Sequence, residues 1–349
     1  MATATASGAP GPKLNHIGLP IVDYRGGKST LCAGCGHNAI SERIIDAMFE
    51  MGVEPERVMK MSGIGCSSKS PAYFMSRSHS FNSVHGRMPS VSTGAILANH
   101  TMTTLGVSGD GDTASIGMGQ FVHMMRRNLP MIYIIEDNGV YGLTKGQFSA
   151  TADIGSKLKT GVVNELPAID TCALAIQLGA TFVGRSFSGD KKQLLSMLKA
   201  AIAHKGTVML DVISPCVTFN DHEGSTKSYL FTRQHDVQMT VTDFVPPAEE
   251  ISATIPAEGV VSIPMHDGAT LRFRSVPDGY DPTDRMAVME HLLASRGRGE
   301  IVTGLLYVDP DAQDMHDYLA TAEKPFNAMD ESELCPGSTA LEKLNASLR

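Results

Sequence analysis

Signals for export and for membrane insertion are missing from this sequence. The opening MATATASGAPGPK has neither a basic n-region nor an apolar h-region, so residues 1–25 are expected to form a flexible tail rather than a signal peptide. No continuous apolar stretch approaches the roughly 18 residues that a membrane helix needs. Cysteine is sparse. Six in 349 residues make a poor disulfide framework, and with no export signal the expected compartment is the reducing cytoplasm. Positive charge is also in deficit, with 29 Lys and Arg against 37 Asp and Glu for a net −8. No basic stripe is interleaved with the aromatics, which argues against nucleic acid and against an anionic membrane as partners. A few local cations would still suffice for a phosphorylated cofactor or a small carboxylate.

What is present is an alternating pattern. Apolar residues at 42% suit a globular chain with a large core. Residues 38–51 put Ile40, Ile44, Ile45 and Met48 at helical spacing, with Gly52 at the C-cap. A strand over 58–65 ends in glycines, and a Ser, Gly and His-rich segment then runs to about residue 90, longer than an ordinary connector. From there helices are expected over 92–104, 113–127, 168–179 and 190–204, and strands over 105–111, 131–138, 181–187 and 207–216. Repeated βα units with strands apolar on both faces predict an α/β fold, a mostly parallel open sheet with helices on both faces. After about residue 235 the texture changes to a C-terminal extension, 236–349, packed on the core or on a partner subunit. It contains a Pro and Glu-rich bridge (245–259), two short strands around Asp267-Gly268, a helix over 283–295 and a strand over 300–308.

Two polar clusters stand at neighbouring strand ends. Gly109-Asp110-Gly111-Asp112 closes one strand and opens a helix, where glycine allows close backbone approach and free N–H groups suit a diphosphate. Asp137-Asn138 closes the next strand, the edge at which open α/β sheets bind ligands. Asp110, the Asn138 amide oxygen, a backbone carbonyl and phosphate oxygens would satisfy magnesium. The bland alternative is a pair of strand-end turns. Cys32 and Cys35 form a CxxC, Cys66 follows at a glycine-rich strand end, and Cys216 lies far on behind Pro215. This spacing leaves zinc and an iron–sulfur cluster open as alternatives. Cys172 reads as helix packing and Cys335 as a free surface thiol.

The full set of motifs is CAGCGH (32–37), IGCS (64–67), HGR (85–87), GDGD (109–112), RRN (126–128) and DNGVYGLTKGQ (137–147). Over about residues 25–225 the chain resembles the β subunits of 2-oxoacid:ferredoxin oxidoreductases, most of all those that use 2-oxoglutarate. The resemblance implies a thiamine diphosphate-binding fold over 26–235, with magnesium held by Asp110, Asn138 and the carbonyl of Val140. It places Gly65, His85, Gly109, Gly111, Asp112, Gly142 and Leu143 at the cofactor, and Cys32, Cys35, Cys66 and Cys216 on one [4Fe-4S] cluster. His85 and Arg87 are implied in catalysis, Lys69 at the distal carboxylate of the substrate, Leu143 in the same pocket and Lys145 at coenzyme A. The implied reaction is oxidative decarboxylation of 2-oxoglutarate to succinyl-CoA and carbon dioxide, with electrons leaving through the cluster to ferredoxin. The acid that activates the thiamine ring would come from a partner α subunit. A pyruvate or branched-chain 2-oxoacid relative is the alternative within the class, and a zinc-stapled nucleotide-binding structural or regulatory subunit the alternative outside it.

Overall fold

Apolar runs closed by small or polar residues become the strands of one sheet. The computed structural model describes residues 13–158, 160–223, 225–245, 260–264, 270–275, 280–335 and 337–349. Its strands are β1 (Val58–Ser62), β2 (His79–Asn82), β3 (Thr103–Gly109), β4 (Ile132–Asp137), β5 (Val140–Tyr141), β6 (Gln147–Phe148), β7 (Phe182–Phe187), β8 (Val208–Ile213), β9 (Asp236–Gln238), β10 (Thr240–Val245), β11 (Val260–Pro264), β12 (Thr270–Ser275) and β13 (Ile301–Val308). The main sheet runs β2-β1-β3-β4-β8-β7-β13-β9. All its pairings are parallel except that of β13 with β7. The expected mostly parallel α/β architecture is therefore the one observed. β10, β12 and β11 form a separate antiparallel sheet, and β5 and β6 a short hairpin.

Helices cover both faces because β1, β4 and β8 are buried along their whole length. On one face α1 (Gly36–Glu50) and α5 (Lys191–Ala203) close a core of Ile40, Ile44, Met48, Leu194, Met197 and the strand residues beneath. On the other lie α2 (Met88–Ala98), α3 (Met118–Arg126), α4 (Thr171–Gln177) and α7 (Arg285–Gly297), over a methionine-rich core that includes Met88, Met124 and Met209. Thioether side chains fill irregular gaps of this kind. Gly52 follows α1 at φ 64°, as a C-terminal glycine should.

Several boundaries differ from expectation. α2 begins at Met88 rather than 92 because Pro89 suits the first helical turn, and Thr103 and Thr104 belong to β3. The helix expected over 113–127 is divided by Gly117 into a π-helical turn (Gly111–Ile116) and α3. The long segment before residue 90 holds a 3-10 helix (Ser67–Ala72) and the edge strand β2. Within the expected tail, residues 1–12 lie outside the described residues, whereas Tyr24 is fully buried and accepts a hydrogen bond at 2.8 Å from Asn15 Nδ2. The C-terminal part contributes β13 to the main sheet; most of the 245–259 bridge and the Asp267-Gly268 turn lie outside the described residues. Among the described residues no helix is long and apolar enough to cross a membrane.

Candidate active site

β3 and β4 are neighbours in register, with Gly109 opposite Glu136. Their carboxyl ends therefore deliver Asp110 and Asn138 to one place. Both side chains are buried, and they line a cavity with His37, Gly65, Cys66, His85, Gly109, Gly111, Asp112, Val140, Gly142 and Leu143 among others. Ten of the expected positions are thus brought together, and Asn138 joins them from the next strand. Gly111 is there for space: a Cβ would stand 2.4 Å from the Tyr141 ring, whose hydroxyl donates to the Gly111 carbonyl at 3.0 Å.

Asp110 is oriented before any ligand arrives. Its Oδ2 accepts hydrogen bonds from Gly139 N–H at 2.9 Å, from Thr151 Oγ1 at 2.6 Å and from the Ser149 hydroxyl. Burial, and then the nearby charge of Asp137, push its carboxyl up to about 7. A bound divalent cation would oppose both effects, so the donor suits a hard metal. Asn138 Oδ1 accepts from Val140 N–H at 3.0 Å, and Asn220 Nδ2 donates to its carbonyl at 2.8 Å. Asp112 lines the cavity, but its oxygens are engaged by Gly86 N–H at 2.8 Å and Ser108 Oγ at 2.9 Å, which tie the 83–87 loop to β3. Among the described residues no group of three or more His, Cys, Asp and Glu side chains stands in metal-holding geometry.

Cys66 lines the same cavity, with Cys216 close by. A Cβ on Gly142 would meet Cys216 Sγ at 3.5 Å and Cys66 Sγ at 3.7 Å, so two sulfurs flank one glycine of the cavity lining. Burial, with added repulsion from Glu136, Cys216 and Cys66, pushes the Cys35 thiol up to about 12. Burial also raises Cys66, with Cys216 and Cys32 contributing. The Thr218 hydroxyl donates to Cys32 Sγ at 3.4 Å, which draws the CxxC loop to the Cys216 loop. All four thiols are free, and Cys32 is exposed. Cys172 is buried and Cys335 exposed, both as expected.

The remaining expected residues stand outside the cavity. Arg87 caps α2 and donates to Gln120 Oε1 at 3.1 Å. Lys69 is exposed one turn beyond Cys66, and Lys145 is exposed in the β5–β6 turn at φ 80°.

Sequence reading missed a buried polar network behind the site. His37 Nδ1 lies 2.6 Å from Ser214 Oγ and 3.4 Å from Glu136 Oε2, while its Nε2 lies 3.5 Å from Asn138 Nδ2. Burial lowers His37 to about 4 and raises Glu136 well above its ordinary value. A neutral imidazole with Nε2 as acceptor matches the Asn138 amide, whose oxygen is then left facing Val140 and the cavity. The signals in the sequence were His37 closing the CAGCGH motif and the polar ending Glu136-Asp137-Asn138 on an otherwise apolar strand. A larger cavity of about 330 Å³ adjoins the site through Asp137 and Thr151. Its floor is charged but internally paired, Arg185 with Asp170 and Asp211, Lys227 with Asp137.

The chain has clear relatives among known proteins. A family model described as the thiamine pyrophosphate enzyme, C-terminal TPP binding domain, matches residues 63–212. The chain is similar to the 2-oxoacid:ferredoxin oxidoreductase subunit beta of a Sulfolobus species, 44% identical over 54% of this chain and 63% of that protein. It is 35% identical to the 2-oxoglutarate synthase subunit KorB of Methanocaldococcus jannaschii, over 54% of this chain and 69% of that protein. Among solved structures it is similar to the 2-oxoglutarate:ferredoxin oxidoreductase from Magnetococcus marinus with 2-oxoglutarate, coenzyme A and succinyl-CoA bound. There the TM-score is 0.70 and the identity 30%, with 86% of this chain and 89% of that chain covered. The matched part spans less than two thirds of the length of the Sulfolobus relative.

Proposed function

The chain belongs to the family of 2-oxoacid:ferredoxin oxidoreductase β subunits, and on that premise we propose that it holds thiamine diphosphate and a [4Fe-4S] cluster for the oxidative decarboxylation of 2-oxoglutarate. The observation that carries this reading is the shared cavity: Asp110 and Asn138 line it from adjacent strands, and Cys66 and Gly142 line its other wall. This placement supports a diphosphate and magnesium site with the cluster cysteines beside it. Bound thiamine diphosphate supplies a nucleophilic carbon and an electron sink for the loss of carbon dioxide, and the cluster a one-electron acceptor.

The protein's own residues orient and enclose. Asp110, Asn138 Oδ1 and the Val140 carbonyl would hold magnesium, and the backbone of Gly109 and Gly111 would lie at the phosphates. Cys32, Cys35, Cys66 and Cys216 hold the cluster; soft thiolates suit iron, and the reducing cytoplasm preserves them. His85 stands at the mouth of the cavity and Leu143 forms a wall, excluding water. Exposed Lys69 pairs with the distal carboxylate of a diacid, and Lys145 with coenzyme A, both in the complex with a partner α subunit. Glu136 is bonded by Ser70 at 3.1 Å, is paired with His37 and does not line the cavity. In keeping with the family resemblance, the ring-activating acid belongs to the partner α subunit, and ferredoxin takes the electrons at the exposed Cys32 side.

The test compares rates with 2-oxoglutarate and pyruvate, each with coenzyme A and ferredoxin, in the complex reconstituted with its α subunit. Preference for 2-oxoglutarate, reduced by Lys69→Ala, is expected. Equal or greater rates with pyruvate would overturn the substrate assignment, and 2-oxoacid oxidation by the isolated chain would overturn the division of labour.

A further inference from the structure

Two buried carboxylates stand side by side at this sheet edge and share two donors, with the Ser149 hydroxyl donating to Asp110 alone. Gly139 N–H lies 2.9 Å from Asp110 Oδ2 and 3.2 Å from Asp137 Oδ1. Thr151 Oγ1 lies 2.6 Å from Asp110 Oδ2 and 2.8 Å from Asp137 Oδ1. Each donor has one hydrogen for two acceptors, so these bonds cannot by themselves hold two anions together in a medium of low dielectric. The other oxygen of Asp137 is different. Its Oδ2 accepts from Lys227 Nζ at 2.9 Å, and both side chains are largely buried.

Lys227 reaches this position across Gly139, where a Cβ would stand 3.2 Å from Lys227 Cγ. Asn220, on the same covering segment, donates to the Asn138 carbonyl. Asn220 and Lys227 thus close over the Asp137-Asn138-Gly139 turn, and the Lys227 ammonium bonds one carboxylate and not the other. Among the described residues Asp110 forms no ion pair.

We propose that Lys227 and Thr151 are positioning residues of the metal site. Lys227 offsets the charge of Asp137, and the Thr151 hydroxyl ties Asp110 to that ion pair, so one oriented carboxylate is left to receive a divalent cation. The inference rests on the magnesium reading given above and adds residues to it. Neither side chain touches the cation; both act through Asp110.

The experiment titrates magnesium and thiamine diphosphate into the full-length chain by calorimetry, with ligand-free melting temperatures recorded in parallel. Thr151→Val should weaken magnesium-dependent binding about 10- to 100-fold, the range for groups that orient a metal ligand, and Thr151→Ser should restore it. Asp137→Asn frees the Lys227 ammonium to turn to Asp110 and compete with the cation, so about a tenfold or greater loss is expected. The double variant D137N/K227M removes both charges and should bind within a few-fold of the unsubstituted chain. A merely structural role would lower the melting temperatures of Thr151→Val and Thr151→Ser without separating their affinities. Unchanged affinity in Thr151→Val and Asp137→Asn, or a double variant as weak as Asp137→Asn, overturns the inference while leaving the magnesium reading intact. Absence of magnesium-dependent binding by the unsubstituted chain overturns that reading and this inference together.

Discussion

Asp110 illustrates how a single side chain can be committed by its surroundings. Its donors all converge on Oδ2, and its burial beside Asp137 makes an unopposed charge costly. Asp110→Asn keeps the shape and removes the charge; calorimetry should show magnesium-dependent thiamine diphosphate binding weakened by about 100-fold or more. Binding within about threefold of the unsubstituted chain would remove Asp110 as the ligand. His37 carries the pH signature. Its folded value is lowered to about 4 by burial, below the ordinary 6.5, so on acidification the unfolded chain takes up the proton first. Stability contributed by neutral His37 is complete above about pH 6.5 and is lost as pH falls toward 4. Relative to His37→Gln, the cluster-free chain should lose about 2 kcal/mol between pH 7 and pH 5, read from urea unfolding. A pH-independent difference would contradict the buried neutral imidazole.

At the scale of elements, the loop that carries Cys66 depends on β1. Lys60 Nζ is buried and donates to the carbonyls of Pro71, Phe74 and Met75 at 2.7, 2.7 and 2.9 Å. Lys60→Met removes this donor from the Pro71 and Phe74 carbonyls, while Met75 keeps the Ser78 hydroxyl, and should lower stability by about 2 kcal/mol, seen as a reduced urea midpoint. An unchanged midpoint would show that the loop is held by other contacts. Such a clamp was not legible in the sequence, because an isolated Lys in an apolar strand gives no sign of which carbonyls it will meet. The alternation of β3, β4, β7 and β8 with their helices was legible, since each strand is apolar on both faces and bounded by glycine or polar residues. Pro89 shifted α2 by four residues from the expected start, because fixed φ at the first turn outweighs the small-residue run that follows. The β5–β6 hairpin and β2 escaped notice, being too short or too polar to show a period.

For the whole molecule, distant segments meet where no local pattern predicts it. β13 was expected as a strand, but its seat depends on an antiparallel pairing with β7, over 100 residues away in sequence, and a parallel one with β9. The cysteines are a similar case: their spacing left zinc and iron–sulfur open, and only the fold brings the Cys216 loop beside Gly142 and Cys66. Cys335 lies exposed in the C-terminal part, remote from this motif in sequence. Iron content should therefore be unchanged in Cys335→Ser and fall sharply in Cys35→Ser, Cys66→Ser and Cys216→Ser. Iron retained in all three would contradict the assigned ligand set.

If one chain holds a thiamine diphosphate site and an iron–sulfur cluster side by side, metal analysis of the full-length chain, prepared without oxygen, will show it. The protein should be brown, with about four iron atoms per chain and visible absorption that bleaches on reduction. A colourless protein carrying one zinc would contradict it.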